Sequence, residues 1–198
     1  SIRETQRCQL KWFMPLAGRQ RGLNLLQPIL ANLDPPDGSF ALLGNHDPAA
    51  SVPILESMGL QVLLNQTVTI KRPHGILHLT GLDDVHSYYT QAAHDALRDG
   101  RTGCRIAAVH SPEVADIAAD AGIDLYLCGH THGGQIRLPW GGPLLTRLRR
   151  CRAYSHGLWR HGDMVGYTSN GAGVATIPIR YNCPPEVALI ILRRPEKL

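Results

Sequence analysis

The chain has 198 residues, with 20 Lys and Arg against 16 Asp and Glu, a formal net charge of +4 with neutral His. Its 43% hydrophobic and 18% charged residues suffice for a buried core and exclude wholesale disorder. No apolar run approaches the ~20 residues of a membrane-spanning helix, and no leader is expected from the residues near Ser1. The 5 cysteines are scattered, odd in number and free of any CxxC pair, so a disulfide scaffold or a cysteine-only zinc site is not expected.

Residues 1–198 read as one domain. Residues 1–22 are poorly patterned. Leu23, Leu26, Ile29, Leu30 and Leu33 then recur at helical spacing, interrupted by Pro28. Residues 34–38 form a turn by composition, and 39–43 read as a short buried strand ending at Gly44. The pattern predicts a helix over 48–58 closed by Gly59, strands over 61–64, 67–71 and 76–80, and a helix over 88–98. A buried strand over 105–109 delivers His110. Ser111 and Pro112 suit the cap and first position of a helix ending near Gly122. A strand over 124–128 leads into Gly129-His130-Thr131-His132-Gly133-Gly134. Residues 139–163 read as a basic loop, and 164–169 and 187–192 as late strands. Strands alternating with helices indicate an α/β domain, with the polar motifs where strands end.

Three of these motifs carry chemistry. In extended backbone His130 and His132 point the same way, which suits a metal such as Zn, Mn or Fe, or equally a structural pair. Cys128 reads as a buried strand residue rather than a ligand. His110 ends a clean apolar strand and serves by residue type as either a structural histidine or a ligand. Asn45 offers a neutral oxygen within a turn. His46 suits a general acid or an electrostatic donor, and Asp47 suits a helix cap.

Taken together and in this order, Gly44-Asn45-His46-Asp47, the strand-end His110 and Gly129-His130-Thr131-His132 resemble the calcineurin-like metallophosphoesterases. Gly81-Leu82-Asp83-Asp84, the extension to Gln135 and the tail from Pro178 to Glu186 look most like the bacterial membrane-associated branch of the YkuE and YaeI type. The resemblance implies two mixed β-sheets packed as a sandwich flanked by helices. It also implies metal-dependent hydrolysis of phosphoester bonds by a pair of divalent cations, Mn, Fe or Zn. Asn45, His110 and His130 would hold one ion and His132 the other. His46 would contact the phosphate and assist the leaving oxygen. Two such cations clamp the attacking and leaving oxygens together.

The family also carries Asp-x-His and Gly-Asp motifs upstream, whose carboxylates join the metals. Neither is found here: Glu4 is the sole acid before Asp34, and Arg19 stands where the Gly-Asp acid would fall. The expectation is therefore an N-terminally incomplete fold holding one cation or none, a fragment of an active enzyme. The alternative is a pseudoenzyme with residual metal binding or an interaction role; supply of the acids by another chain is a third reading.

Trp140, Leu144, Leu145, Leu148 and Trp159 accompany Arg147, Arg149, Arg150 and Arg152 in the basic loop. The loop reads as a solvated segment with core anchors, or as a headgroup-facing surface for peripheral membrane contact. The branch resemblance implies a lipid-linked or nucleotide-linked substrate such as UDP-2,3-diacylglucosamine. Its expected location is cytoplasmic or peripheral at the inner membrane. No aromatic–basic stacking motif is present, so nucleic acid is not an expected partner. His86 follows Asp83-Asp84 and could approach the site, though no ligand position of the family matches it.

Overall fold

The computed structural model describes residues 27–73, 75–140, 142–146, 148–175 and 178–193. The weakly patterned residues 1–22, the Pro15–Gln20 segment, His74, Arg147 and Arg194 lie outside them. Among the described residues eight strands follow in chain order: β1 (Ser39–Ala41), β2 (Leu60–Val62), β3 (Gln66–Arg72), β4 (Gly75–Gly81), β5 (Cys104–Ala108), β6 (Leu125–Cys128), β7 (Gly157–His161) and β8 (Met164–Thr168). The α-helices are α1 (Val52–Ser57), α2 (Gln91–Leu97) and α3 (Ala115–Asp120), and residues 27–30 are also helical.

The strands form two sheets. β1 and β2 pair in parallel. The larger sheet has the order β3-β4-β5-β6-β8-β7; β4, β5, β6 and β8 are parallel, and β3 and β7 lie antiparallel at its edges. The larger sheet is thus mixed, as expected, whereas the smaller is wholly parallel.

The period-2 alternation of strands separates the faces. Ile106, Ala108, Leu125 and Leu127 share one core with Phe40 and Leu63 of the small-sheet region. Ala107, Val109, Tyr126 and Cys128 point the other way, into a second core with Ala93 and Leu97 of α2 and Ala115 and Ala118 of α3. Ala41, Leu60 and Val62 meet Leu30 and Leu55 on the outer side of the small sheet. The resulting layers run helix, small sheet, large sheet, helix. The central strands β5 and β6 are buried on both sides, which is why residues 106–109 and 125–128 are continuously apolar.

Several elements start or stop where local chemistry dictates. The helix expected from residue 88 begins at Gln91, because Thr90 Oγ1 accepts from Ala93 N at 3.2 Å and caps it. Ser111 does not cap as expected. Its first turn is a 3-10 turn over Pro112–Val114, and its hydroxyl is buried without a hydrogen-bond partner. α3 ends at Asp120, and the chain turns off at Gly122, whose φ of +78° is the left-handed conformation glycine adopts most readily.

Two expectations are corrected. The basic loop does not extend to 163, because β7 occupies Gly157–His161 and pairs with β8. Trp159 anchors that hairpin, packing over Gly166 and stacking on Tyr154 at 4.2 Å. Residues 187–192 form no strand beyond a single bridge position at 191. Ile190 and Leu192 pack against the core while Val187 and Leu189 are exposed. Alternation of side chains was legible there, but a ladder also requires a partner backbone.

Candidate active site

The parallel strands deliver the polar motifs to one edge of the sheet. His110 follows β5, His130 and His132 follow β6, Asn170 follows β8, and Asn45 and His46 follow β1. Ligand sites in open α/β sheets lie at these carboxyl ends, because the loops there are unconstrained by the ladder.

Three donors converge. His110 Nε2 lies 3.0 Å from Asn45 Oδ1 and 3.0 Å from His130 Nδ1. An N–H on His110 Nε2 can point at one of these acceptors only, so a lone pair remains turned into the cluster. Two donors about 2.1 Å from a shared cation and at right angles around it stand about 3 Å apart, so the spacing fits a divalent ion. Close packing makes this possible. A β-carbon on Gly44 would sit 2.5 Å from His110 Cε1, so glycine alone lets this turn reach the ring. Asp47 Oδ2 accepts from Gly44 N at 2.9 Å and closes the turn, a role in place of the helix cap expected from sequence.

The electrostatics hold the imidazoles neutral. Burial lowers His110 to about 3, helped by the neighbouring charges of His86, His132 and His46. Burial likewise lowers His130 to about 3, against the pull of Glu113 and Asp84. Neutral imidazole is the form that ligates metal. His130 Nε2 and His132 Nε2 are both buried without a hydrogen-bond partner.

His132 reaches this region by a route different from the expected one. The backbone is not extended: β6 stops at Cys128, His130 has φ +68°, His132 has φ +50°, and His132–Gly134 is a 3-10 turn. His132 Nδ1 donates to Gly173 O at 3.2 Å, which fixes the tautomer and leaves Nε2 as the lone-pair nitrogen. Thr131 points away and donates to Ser155 O at 2.6 Å. Gly133, at φ +62°, lies so close to Asn170 that a β-carbon would fall 2.1 Å from its Oδ1. His46 is exposed beside this group, near enough for its charge to oppose protonation of both His110 and His132. Cys128 is buried against Thr168 Oγ1 at 3.0 Å, and burial pushes its thiol up, as suits a core residue.

Sequence reasoning gave no role to Glu113 or Arg180. His86 does approach the site: its ring centroid lies 4.4 Å from that of His130. Glu113 stands behind it, its buried carboxylate meeting His86 Nδ1 at 2.6 Å. Arg180 ties the site loops together. Its guanidinium donates to Asn170 O at 2.8 Å, Gly171 O at 3.0 Å, Gly173 O at 3.1 Å and His132 O at 3.3 Å. These contacts join residues far apart in the chain, so no spacing rule signals them. Among the described residues no group of three or more His, Cys, Asp or Glu forms a metal cage, since one of the three convergent donors is the Asn45 amide.

A cleft of about 270 Å³ opens beside the histidines, lined by His130, His132, Ile136, Leu144, Leu145 and Ala175. Leu144 and Leu145 are more than half exposed at its rim.

This arrangement agrees with what the sequence is similar to. The sequence model of the calcineurin-like phosphoesterase family matches residues 15–134, a span that contains Asn45, His46, His110, His130 and His132. The chain belongs to that family. It is 30% identical over 172 residues to YkuE of Bacillus subtilis, an uncharacterized metallophosphoesterase, covering 84% of this chain and 60% of YkuE. It is 33% identical over 161 residues to the phosphodiesterase YaeI of Escherichia coli, covering 78% of this chain and 58% of YaeI. The same family gives 32% identity over 177 residues with an uncharacterized metallophosphoesterase of Helicobacter pylori, covering 82% of this chain and 45% of that protein. The chain therefore spans between 45% and 60% of the length of these relatives.

Proposed function

We propose that this chain carries the cation-holding half of a phosphoester hydrolase. The observation behind this reading is the meeting of Asn45 Oδ1, His110 Nε2 and His130 Nδ1 at 3.0 Å contacts. These three would hold one divalent cation, and His132 would turn its unpartnered Nε2 toward a second. Imidazole and amide donors suit Mn, Fe or Zn. When bound, such a cation polarises a phosphoryl oxygen and lowers the pKa of water. The chain's own residues do the rest. Burial keeps His110 and His130 in their ligating form, Gly173 fixes His132, and the exposed His46 donates a proton to the leaving oxygen.

The substrate class is a phosphodiester, by analogy with the phosphodiesterase YaeI. A lipid-linked or nucleotide-linked diester such as UDP-2,3-diacylglucosamine fits the cleft, where Leu144 and Leu145 stand beside His130 and His132. Trp140, 79% exposed, and the exposed Arg149, Arg150 and Arg152 belong to the same loop segment as Leu144 and Leu145 and would offer a surface for lipid headgroups. No helix of the described residues is long and apolar enough to cross a membrane.

The test is Mn²⁺-dependent hydrolysis of an aryl phosphodiester by this chain and by His46→Ala. We expect His46→Ala to lose roughly 100- to 10,000-fold in turnover while binding Mn²⁺ normally. Equal turnover in the variant refutes the role of His46, and a folded chain that binds Mn²⁺ without turnover is a binding relic. In the same assay a diacyl substrate should show a lower KM than its headgroup alone; equal values remove the lipid reading.

A further inference from the structure

The donors that converge on the site are neutral. Asn45 is an amide, and burial opposes protonation of His110, His130 and His132. A divalent cation among them requires negative charge nearby, and the structure contains one buried carboxylate in the right place.

Glu113 is 5% exposed. Its Oε1 accepts from Arg149 N at 2.7 Å and its Oε2 meets His86 Nδ1 at 2.6 Å. Among the described residues the side chain that meets its carboxylate is that of His86. Burying a carboxylate is costly unless a charge or a full set of donors answers it. His86 is in turn held from the other side: Asp84 Oδ1 accepts from His86 N at 3.0 Å and Asp84 Oδ2 from Ser87 N at 3.1 Å. The imidazole so fixed packs against His130 with ring centroids 4.4 Å apart and planes tilted by 38°. His130 in turn meets His110. A continuous line therefore runs from a buried carboxylate, through two imidazoles, to the convergent donors.

We propose that Glu113 and His86 are a positioning pair for the cation site: the buried carboxylate fixes His86, the ring of His86 backs His130, and the pair supplies the negative charge that the neutral donors lack. The inference rests on the cation-holding role assigned above. Carboxylates that stand behind ligating histidines act in this way in metal sites generally, and their loss costs 10- to 100-fold in affinity.

Two substitutions separate charge from packing. Glu113→Gln keeps the shape and the acceptor for Arg149 N but removes the charge and turns an amide donor toward His86. His86→Phe keeps a ring against His130 but cuts the link to Glu113. Co²⁺ alone is titrated into the full chain and each variant, reading affinity by calorimetry and ligand environment by visible absorption; metal-free melting temperatures are measured alongside. We expect each variant to bind Co²⁺ about 10- to 100-fold more weakly with an altered spectrum, and the double variant to be no weaker than the worse single one. Wild-type affinity and spectrum in both variants overturn the proposal, and a fall in metal-free melting temperature alone marks the pair as structural and overturns it too. Should Glu113→Gln fail to fold, His86→Phe decides. Failure of the unchanged chain to bind Co²⁺ overturns the cation site itself, and the pair's role with it.

Discussion

Gly44→Ala isolates the close packing on which the site depends. The added methyl would lie 2.5 Å from His110 Cε1, 2.6 Å from Nδ1 and 2.8 Å from Nε2. Ordinary contact begins near 3.4 Å, so the ring must retreat by about 0.9 Å, the difference between 3.4 and 2.5 Å. A retreat of that size moves Nε2 off the positions at which it meets Asn45 and His130 at 3.0 Å, and so disturbs the convergence of the three donors. Gly44 has no positive φ, so alanine is not strained by its backbone and the effect is steric. The hydrogen bond from Gly44 N to Asp47 also survives. Overpacking of this kind costs about 1–3 kcal/mol, and displacing one of three donors should weaken Mn²⁺ binding by at least about 100-fold. Calorimetric titration with Mn²⁺ and thermal melting of the metal-free chain measure the two effects. A second variant sharpens the reading: adding His110→Ala to Gly44→Ala removes the clash, so stability should partly recover while cation binding does not. Unchanged Mn²⁺ affinity and melting temperature in Gly44→Ala would refute the convergence of Asn45, His110 and His130 as a cation site.

Two further outcomes concern the frame around the site. Thr168 is fully buried; its Oγ1 accepts from Trp159 Nε1 at 2.8 Å and donates to Tyr154 O at 2.6 Å. Thr168→Val keeps the shape but orphans both groups, at about 1–3 kcal/mol each, and should lower the melting temperature by roughly 2–4 °C per kcal/mol; an unaltered melt would contradict this. Burial, then the hydrogen bond to Glu186, pushes Tyr167 up to about 12. Because its folded value lies above the unfolded 10.0, the unfolded chain loses this proton first as pH climbs. Stability is intact below pH 10 and declines toward pH 12, a decline that Tyr167→Phe should reduce in melts followed by tyrosinate absorbance.

Much of the architecture was written locally. The apolar runs over 106–109 and 125–128, the punctuation at Gly59 and Gly122, and the strand-end placement of His110 and His130 all follow from short-range rules. So does the family resemblance, because its motifs are contiguous stretches. The misreadings have one source. Residues 187–192 alternate as a strand does yet lack a ladder, β7 lay hidden in a basic segment, and Ser111 left its capping role to a 3-10 turn. In each case pairing or packing with a distant segment decided the outcome.

The sequence by itself determined the α/β class, the order of most elements and the stock of amide and imidazole donors, since these depend on residue type and on periodicity along the chain. Only the tertiary structure decided that Asn45 meets His110, that His132 arrives through a left-handed turn rather than an extended strand, and that Glu113, His86 and Arg180 stand behind the site. Contacts of 3 Å between residues tens of positions apart are set by how layers pack, and packing has no period that a linear sequence can display.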